Sequence, residues 1–236
     1  MSKLRLKGKL LLLSLVPLLL VVAAIMIIVR VQMQTMGDEE VERIRKDMLA
    51  TKQTELRHYV EQAISAVKPL FSRSDLTDSE KMERAAEVLN AMRFGSDGYI
   101  FGYGSDGVTK IHGGNAKLIG TNMLNFRDSN GVPLIRDLIT EAKNGGGYVE
   151  YVWDKPGTDV KAPKLSYAQM VPGQDLLLGT GFYIDDIDAA VTALEQQIRT
   201  SVATTLGIIG ISSLILLGLV SLVTLYVAQR MVRPLQ

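Results

Sequence analysis

Cysteine is absent from this sequence and histidine is scarce, with two residues in 236. Without cysteine the chain can form no disulfide and no thiolate metal site, which is compatible with an oxidising compartment. His58 and His112 lie far apart, and no HExxH pair is present, so a histidine-based zinc site has no support either. We therefore predict neither a metal site nor a cofactor.

An excess of charge of either sign is also missing, since 26 basic residues balance 25 acidic ones. No basic stripe stands out beyond the flanks of two apolar runs, so nucleic acid is not an expected partner. Catalytic signatures are lacking too: there is no nucleophile elbow, credible triad or metal set. The enzyme alternative, a secreted hydrolase on a membrane tether, thus has no supporting residues. We expect no catalytic residue and no enzymatic activity.

What the sequence does contain is two long apolar runs. From Leu10 to Val29 no charged residue occurs, and a second charge-free run extends from Thr200 to Gln229. A helix of about twenty residues, rising about 1.5 Å per residue, crosses a hydrocarbon core of about 30 Å. We therefore predict transmembrane helices at residues 10–30 and 206–228.

The flanking cations predict the orientation of these helices. They precede the first run and follow the second, at Lys3, Arg5, Lys7, Lys9, Arg230 and Arg233. By the positive-inside rule, residues 1–9 are cytoplasmic and residues 38–200 form a domain on the periplasmic side of the inner membrane. A cleaved signal peptide is the alternative for the N-terminus. The apolar run is longer than the usual core of about 7–15 residues and no small-x-small site follows it, so we expect no cleavage.

The middle segment begins with a helical pattern. Apolar residues recur at helical spacing from Val41 to Phe71, which predicts a long amphipathic helix continuing the first membrane helix. Thr77 and Glu80 form a capping-box pattern that opens a second helix, with Gly95 as its predicted stop.

The sequence pattern then changes to the alternation that is typical of β-strands. Tyr99, Phe101 and Tyr103 alternate on one predicted strand, and a turn at residues 105–107 leads into the next. The GxGxxG spacing of Gly102, Gly104 and Gly107 lies between these strand patterns, so a hairpin is favoured over a dinucleotide-binding loop. A short helix after Pro133 and three more strands follow, at Tyr148–Trp153, Leu165–Val171 and Leu176–Tyr183. We predict an α+β fold, a five-stranded antiparallel sheet with helices on one face, before a helix from Asp185 into the second membrane run.

Two polar residues of this region have open interpretations. Lys164, between Pro163 and Leu165 at a predicted strand start, is either a pocket cation or a solvated lysine. His112 is either a pocket donor or a structural hydrogen-bonding group. The strand aromatics are either core or pocket walls.

Four runs carry a resemblance to a known family. They are Arg93–Phe101, Gly145–Tyr151, Lys164–Tyr167 and Gly179–Asp188. Over residues 38–200 this ordered series resembles the single Cache domain, type 2, of bacterial methyl-accepting chemotaxis receptors. The final residues, 229–236, resemble the start of a HAMP linker.

The resemblance implies a PAS-like sheet, a homodimer, and signalling to cytoplasmic partners through regions absent from this chain. It also implies a small organic acid as ligand, whose carboxylate needs buried donors and whose tail needs apolar walls. The candidate ligand-binding residues are Lys164 as charge partner, His112, Tyr99, Tyr151 and Tyr167 as donors, Phe101 and Met123 as walls, and Arg93. The alternatives are the sensor region of a histidine kinase or cyclic-dinucleotide enzyme, or a dimerisation module that binds no ligand.

Overall fold

The structure, a computed structural model, describes residues 6–158 and 160–232. In chain order the helices and strands are α1 (Leu6–Phe71), α2 (Asp78–Ala91), β1 (Arg93–Phe94), β2 (Gly98–Tyr99), β3 (Phe101–Tyr103), β4 (Thr109–His112), α3 (Leu134–Lys143), β5 (Gly147–Asp154), β6 (Lys161–Met170), β7 (Leu177–Tyr183) and α4 (Ile184–Val232). The chain divides into two compact units, one of residues 45–190 and one of the segments on either side of it. Residues 1–5 of the predicted cytoplasmic segment and residues 233–236 of the HAMP-like segment lie outside the described part.

The unit formed by the two ends of the chain contains both apolar runs. The most apolar stretches of α1 and α4 have mean hydropathies of 3.1 and 2.5, and no residue of either stretch is buried. Ser14 Oγ lies 3.4 Å from Thr224 Oγ1. Both helices are long and apolar enough to cross a membrane.

The predicted capping box at the start of α2 is present. The Thr77 side chain accepts a hydrogen bond from the backbone N–H of Glu80 at 3.3 Å. The Glu80 carboxylate accepts one from the backbone N–H of Thr77 at 2.8 Å. Two otherwise unpaired N–H groups of the first turn are satisfied in this way.

The end of α2 and the strand after it were predicted wrongly. The helix ends at Ala91 rather than at Gly95, because Arg93 and Phe94 pair with Tyr99 and Gly98 in a small two-stranded hairpin. The predicted strand over 99–103 is consequently split at Ile100, with Tyr99 in β2 of the hairpin and Phe101 in β3 of the main sheet.

The main sheet has five antiparallel strands in the order β4-β3-β7-β6-β5. This confirms the predicted fold class. The hairpin between β3 and β4 turns at Gly107, whose φ of +80° is a conformation that favours glycine. The GxGxxG spacing is thus part of a β-hairpin.

The predicted placement of all helices on one face of the sheet is wrong. Helices α1 and α2 pack on one face, in a core that includes Val60, Leu89 and Leu178. Helix α3 packs on the opposite face, in a second core that includes Leu138 and Leu177. Successive residues of a strand point to opposite faces, so Leu177 and Leu178 belong to different cores.

Candidate ligand-binding site

The candidate site lies on the α3 face of the sheet and is organised around Lys164. Strand β6 begins at Lys161, so Lys164 lies within the strand rather than at its start as predicted. Ala168 belongs to the core beneath α3, and the two-residue period of a strand places Lys164 and Ser166 on the same face. The Lys164 side chain is completely buried, with a relative exposure of 0%.

Lys164 is held by aromatic groups and has no counter-ion among the residues that the structure describes. Its ammonium donates a hydrogen bond to the Tyr99 hydroxyl at 2.8 Å and lies 4.0 Å from the centre of the Tyr99 ring. It lies 5.0 Å from the ring centre of Tyr183 and 6.0 Å from that of Phe101. Across residues 6–158 and 160–232, Lys164 forms no salt bridge.

Burial without a counter-ion lowers the pKa of Lys164 from 10.5 to about 7, because the desolvated ammonium is disfavoured relative to the neutral amine. The carboxylate of Asp97 opposes this shift only in part. An anion bound next to this ammonium would stabilise its charged form.

A glycine on the neighbouring strand makes room for this lysine. Gly181 pairs with Ser166 across β6 and β7. A Cβ atom at Gly181 would lie 2.2 Å from Ser166 Oγ and 2.7 Å from Lys164 Cε. Any larger residue at this position would therefore displace the lysine side chain.

His112 supplies a second polar group. It pairs with Phe101 in the sheet and is 2% exposed. Its Nδ1 accepts a hydrogen bond from the backbone N–H of Asn115 at 2.9 Å. Burial and the nearby charge of Lys164 lower the pKa of His112 from 6.5 to about 4, so the ring is neutral near pH 7. A neutral imidazole whose Nδ1 accepts carries its proton on Nε2, which is left as a donor.

A cavity of about 750 Å³ opens in front of these groups. Tyr99, His112, Met123 and Trp153 belong to its wall, together with the turn after β5. Lys164 is not part of the wall but lies behind it, joined to it through the Tyr99 hydroxyl. The cavity size is within the range of about 300–1,000 Å³ that is typical of small-molecule sites.

Tyr151 and Ser166 form a hydroxyl pair on the same face. The two oxygens are 2.8 Å apart and buried, and Tyr151 pairs with Lys164 across β5 and β6. Burial raises the pKa of the Tyr151 phenol, so both groups remain neutral donors near pH 7. Phe101 is 2% exposed and belongs to the same core as Tyr151, but like Tyr151 and Ser166 it is not part of the cavity wall.

Two candidates do not join this cluster. Tyr167 is displaced from Lys164 by an odd number of strand positions and lies on the opposite face, in the core beneath α1 and α2. Arg93 donates to the backbone oxygens of Asn90, Met92 and Gly113, so it clamps the loop after His112. We leave both residues out of the candidate site.

Three residues of the site were absent from the predicted set. Ser166 stands two residues after Lys164, so the two-residue period of a strand places both side chains on the same face of the sheet. Trp153 lies on the cavity wall, and its ring centre is 6.1 Å from that of His112. Tyr183 pairs with Lys164 across β6 and β7, a neighbour that only the strand register reveals.

The α+β domain contains a cavity sized for a small molecule, and its first and last helices carry exposed apolar runs. This arrangement is typical of a membrane-anchored sensor domain. Residues 48–197 match the family described as Single Cache domain 2. The chain belongs to this family.

Relatives with this architecture are bacterial receptors. The chain is 34% identical over 237 residues to the methyl-accepting chemotaxis protein CtpM of Pseudomonas aeruginosa, covering 100% of this chain and 42% of CtpM. It is 30% identical over 206 residues to the sensor histidine kinase MctS of Rhizobium johnstonii, covering 87% of this chain and 45% of MctS. The chain therefore spans less than half the length of these curated relatives.

Solved structures of similar domains agree with the fold. A methyl-accepting chemotaxis protein from Vibrio parahaemolyticus is 41% identical with a TM-score of 0.58, and the match covers 63% of this chain and 99% of that one. A Cache chemosensory domain described in terms of carboxylic acid recognition is 25% identical with a TM-score of 0.54, covering 58% and 97%. The chain thus carries a chemoreceptor-type Cache sensor domain.

Proposed function

We propose that this chain is the sensor region of a transmembrane chemoreceptor that binds a short-chain carboxylate in the periplasm and signals across the inner membrane. The observation that carries the proposal is Lys164, a completely buried lysine that forms no salt bridge in the described part of the chain. A buried ammonium is costly unless it is paired. A carboxylate that enters the cavity supplies the missing charge.

The donors around Lys164 suit one carboxylate. The Tyr99 hydroxyl accepts a hydrogen bond from Lys164 and retains its own proton, which it can donate to a ligand oxygen. The Nε2–H of His112 is a second donor on the cavity wall, and the pair of Tyr151 and Ser166 lies on the same face. Lys164 stands behind Tyr99 and stabilises the anion by its charge. Met123 on the cavity wall provides an apolar surface for a short tail, and Phe101 is buried in the same core.

Similarity to known proteins supports this ligand class. The Cache domain described in terms of carboxylic acid recognition is similar to this chain over nearly all of its own length. By the same resemblance we propose a homodimer in the membrane and cytoplasmic signalling partners. The relative MctS is a sensor histidine kinase, so a kinase output is the second candidate, with the same ligand-binding role for residues 38–200.

A ligand screen tests the proposal. Purified chain is mixed separately with acetate, propionate, pyruvate, succinate, amino acids and amines, and thermal unfolding is recorded. Selective binding stabilises the folded state, by about 2.7 kcal/mol when the ligand is at one hundred times its Kd. We expect shifts with carboxylates and none with amines. A small acid gains at best about 1.5 kcal/mol per heavy atom, so its Kd should not fall below roughly the micromolar range. The absence of any shift would favour the dimerisation module.

The pKa of Lys164 predicts a pH dependence of binding. The empty site holds Lys164 with a pKa of about 7, whereas a bound carboxylate favours the ammonium and raises that pKa. Above pH 7 the ligand must therefore bind together with a proton, and the Kd should rise about tenfold per pH unit. Below pH 7 the lysine is already charged and the slope disappears. Calorimetric titrations from about pH 6 to about pH 9 measure this, and a flat Kd over that range would contradict it.

The membrane topology predicts the compartment of each segment. Because cations flank both apolar runs on one side, the segment near Gly157 should be periplasmic. A phosphatase that is active only in the periplasm should therefore be active when fused near Gly157. A cytoplasmic reporter fused after Gln236 should be active in the same cells. Reversed activities would overturn the proposed layout.

A further inference from the structure

The turn after β5 connects the cavity to the start of α4. Residues Lys155–Thr158, which we name the lip, lie on the cavity wall. The backbone N–H of Lys155 donates to the Val160 oxygen at 2.8 Å, and that of Thr158 donates to the Lys155 oxygen at 3.1 Å. These bonds make the turn a closed hydrogen-bonded unit whose base is Lys155.

Lys155 ties this lip to the first turn of α4. Its ammonium lies 2.9 Å from a carboxylate oxygen of Asp185 and 3.2 Å from one of Asp186. The second oxygen of Asp185 is buried and has no hydrogen-bond partner in the described chain. If Lys155 moved away, the negative charge of Asp185 at the start of α4 would lose the cation that stabilises it. A movement of the lip should therefore move the first turn of α4 with it.

A second connection passes through Tyr183, the last residue of β7. Its hydroxyl donates to the backbone oxygen of Asp154 at 2.6 Å, the residue before the lip. The ammonium of Lys155 lies 5.2 Å from its ring centre, and that of Lys164 lies 5.0 Å away. Tyr183 thus contacts both the cation behind the cavity and the cation of the lip.

We propose that Lys155 is a coupling residue: when a carboxylate draws the lip towards the cavity, the ion pairs of Lys155 with Asp185 and Asp186 carry that movement into α4. This inference rests on the proposed function. The ammonium of Lys155 is engaged by α4 and is not among the donors assigned to the ligand. Shifts of about 1–2 Å in a helix are sufficient for signalling in other proteins.

The absence of cysteine allows a direct test on the whole chain. Lys143→Cys, at the exposed end of α3, and Ala190→Cys, exposed on α4, receive spin labels in lipid nanodiscs. Electron–electron distances are measured with and without the one of acetate, propionate, pyruvate and succinate that gives the largest thermal shift. The parent chain should show a distance change of about 1–2 Å on ligand addition.

Three variants separate coupling from binding. Lys155→Met should lose the distance change while binding the acid at least as tightly as the parent, since the ligand no longer has to move α4. Lys155→Arg keeps both ion pairs and should retain the change. Lys161→Met is the matched control, because Lys161 also borders the cavity but pairs with Asp154 at 3.7 Å and not with α4; it should retain both properties.

Several outcomes would overturn the coupling role. They are a full distance change in Lys155→Met, a loss of affinity of more than about tenfold in that variant, or loss of the change in Lys161→Met as well. A parent chain that binds acid without any distance change would reject the coupling and leave the proposed ligand intact. A parent chain that binds none of the four acids would instead reject the proposed function, and the coupling with it.

Discussion

Lys164→Met should weaken carboxylate binding by at least about thirtyfold. Methionine retains much of the bulk of the lysine stem but removes the charge, and removing one partner of a buried charge pair costs on the order of 2–5 kcal/mol. A loss of about 2 kcal/mol corresponds to roughly thirtyfold in Kd. Isothermal titration with the acid that binds the parent most tightly measures the change.

Stability distinguishes a lost ligand contact from a damaged fold. Burying the ammonium of Lys164 without a counter-ion is unfavourable, so Lys164→Met should leave the unfolding temperature of the empty domain at or above that of the parent. Lys161→Met, on the same strand and with an exposed side chain, should change the Kd by less than about fivefold, because exposed ion pairs contribute about 1 kcal/mol or less. If Lys164→Met binds as tightly as the parent, the site assignment fails.

The fold was largely predictable because its signals are local. The capping box of Thr77 and Glu80 and the turn at Gly107 each depend on residues close in sequence, and both are present. The end of α2 was missed because it depends on pairing between Arg93–Phe94 and Gly98–Tyr99. A two-residue strand leaves no periodic pattern that could compete with a helical one.

The face on which α3 packs was not predictable in the same way. The apolar side of α3 is clear in sequence, yet both faces of β6 and β7 are buried. A strand such as β7, with Leu177 in one core and Leu178 in the other, carries apolar residues on both faces. It therefore accepts a helix on either side, and only the packing of the whole domain selects one.

Strand parity, which the sequence analysis did not apply, separates some of the candidate site residues. Lys164 and Tyr151 pair across β5 and β6 and share a face, whereas the odd spacing from Lys164 to Tyr167 would have placed the latter on the opposite face. Tyr183 required the register of β6 with β7. The position of Lys164 behind Tyr99, rather than on the cavity wall, depends on side-chain packing and has no sequence signal.

Signal transmission through α4 gives the second large effect. The helix begins at Ile184, immediately after β7, and contains no glycine or proline before Gly207. Inserting four glycines after Ala193 introduces four residues that each disfavour the helix by about 1 kcal/mol relative to alanine. We expect acid binding to remain within about threefold of the parent while the cytoplasmic response falls to less than about one tenth. The response is measured as kinase activity in a chimera that joins this chain to the cytoplasmic part of the Pseudomonas aeruginosa relative.

An insertion of four alanines at the same point is the matched control. It adds the same number of residues but preserves the helix, and four residues amount to about 400°, or roughly 40° beyond one full turn. The helix after the insertion therefore keeps nearly its original facing, and we expect a substantial response. If helix continuity transmits the signal, the two insertion variants must differ in their cytoplasmic response although the insertions are equally long. A full response with four glycines, or equal losses with both insertions, would reject transmission through a continuous α4.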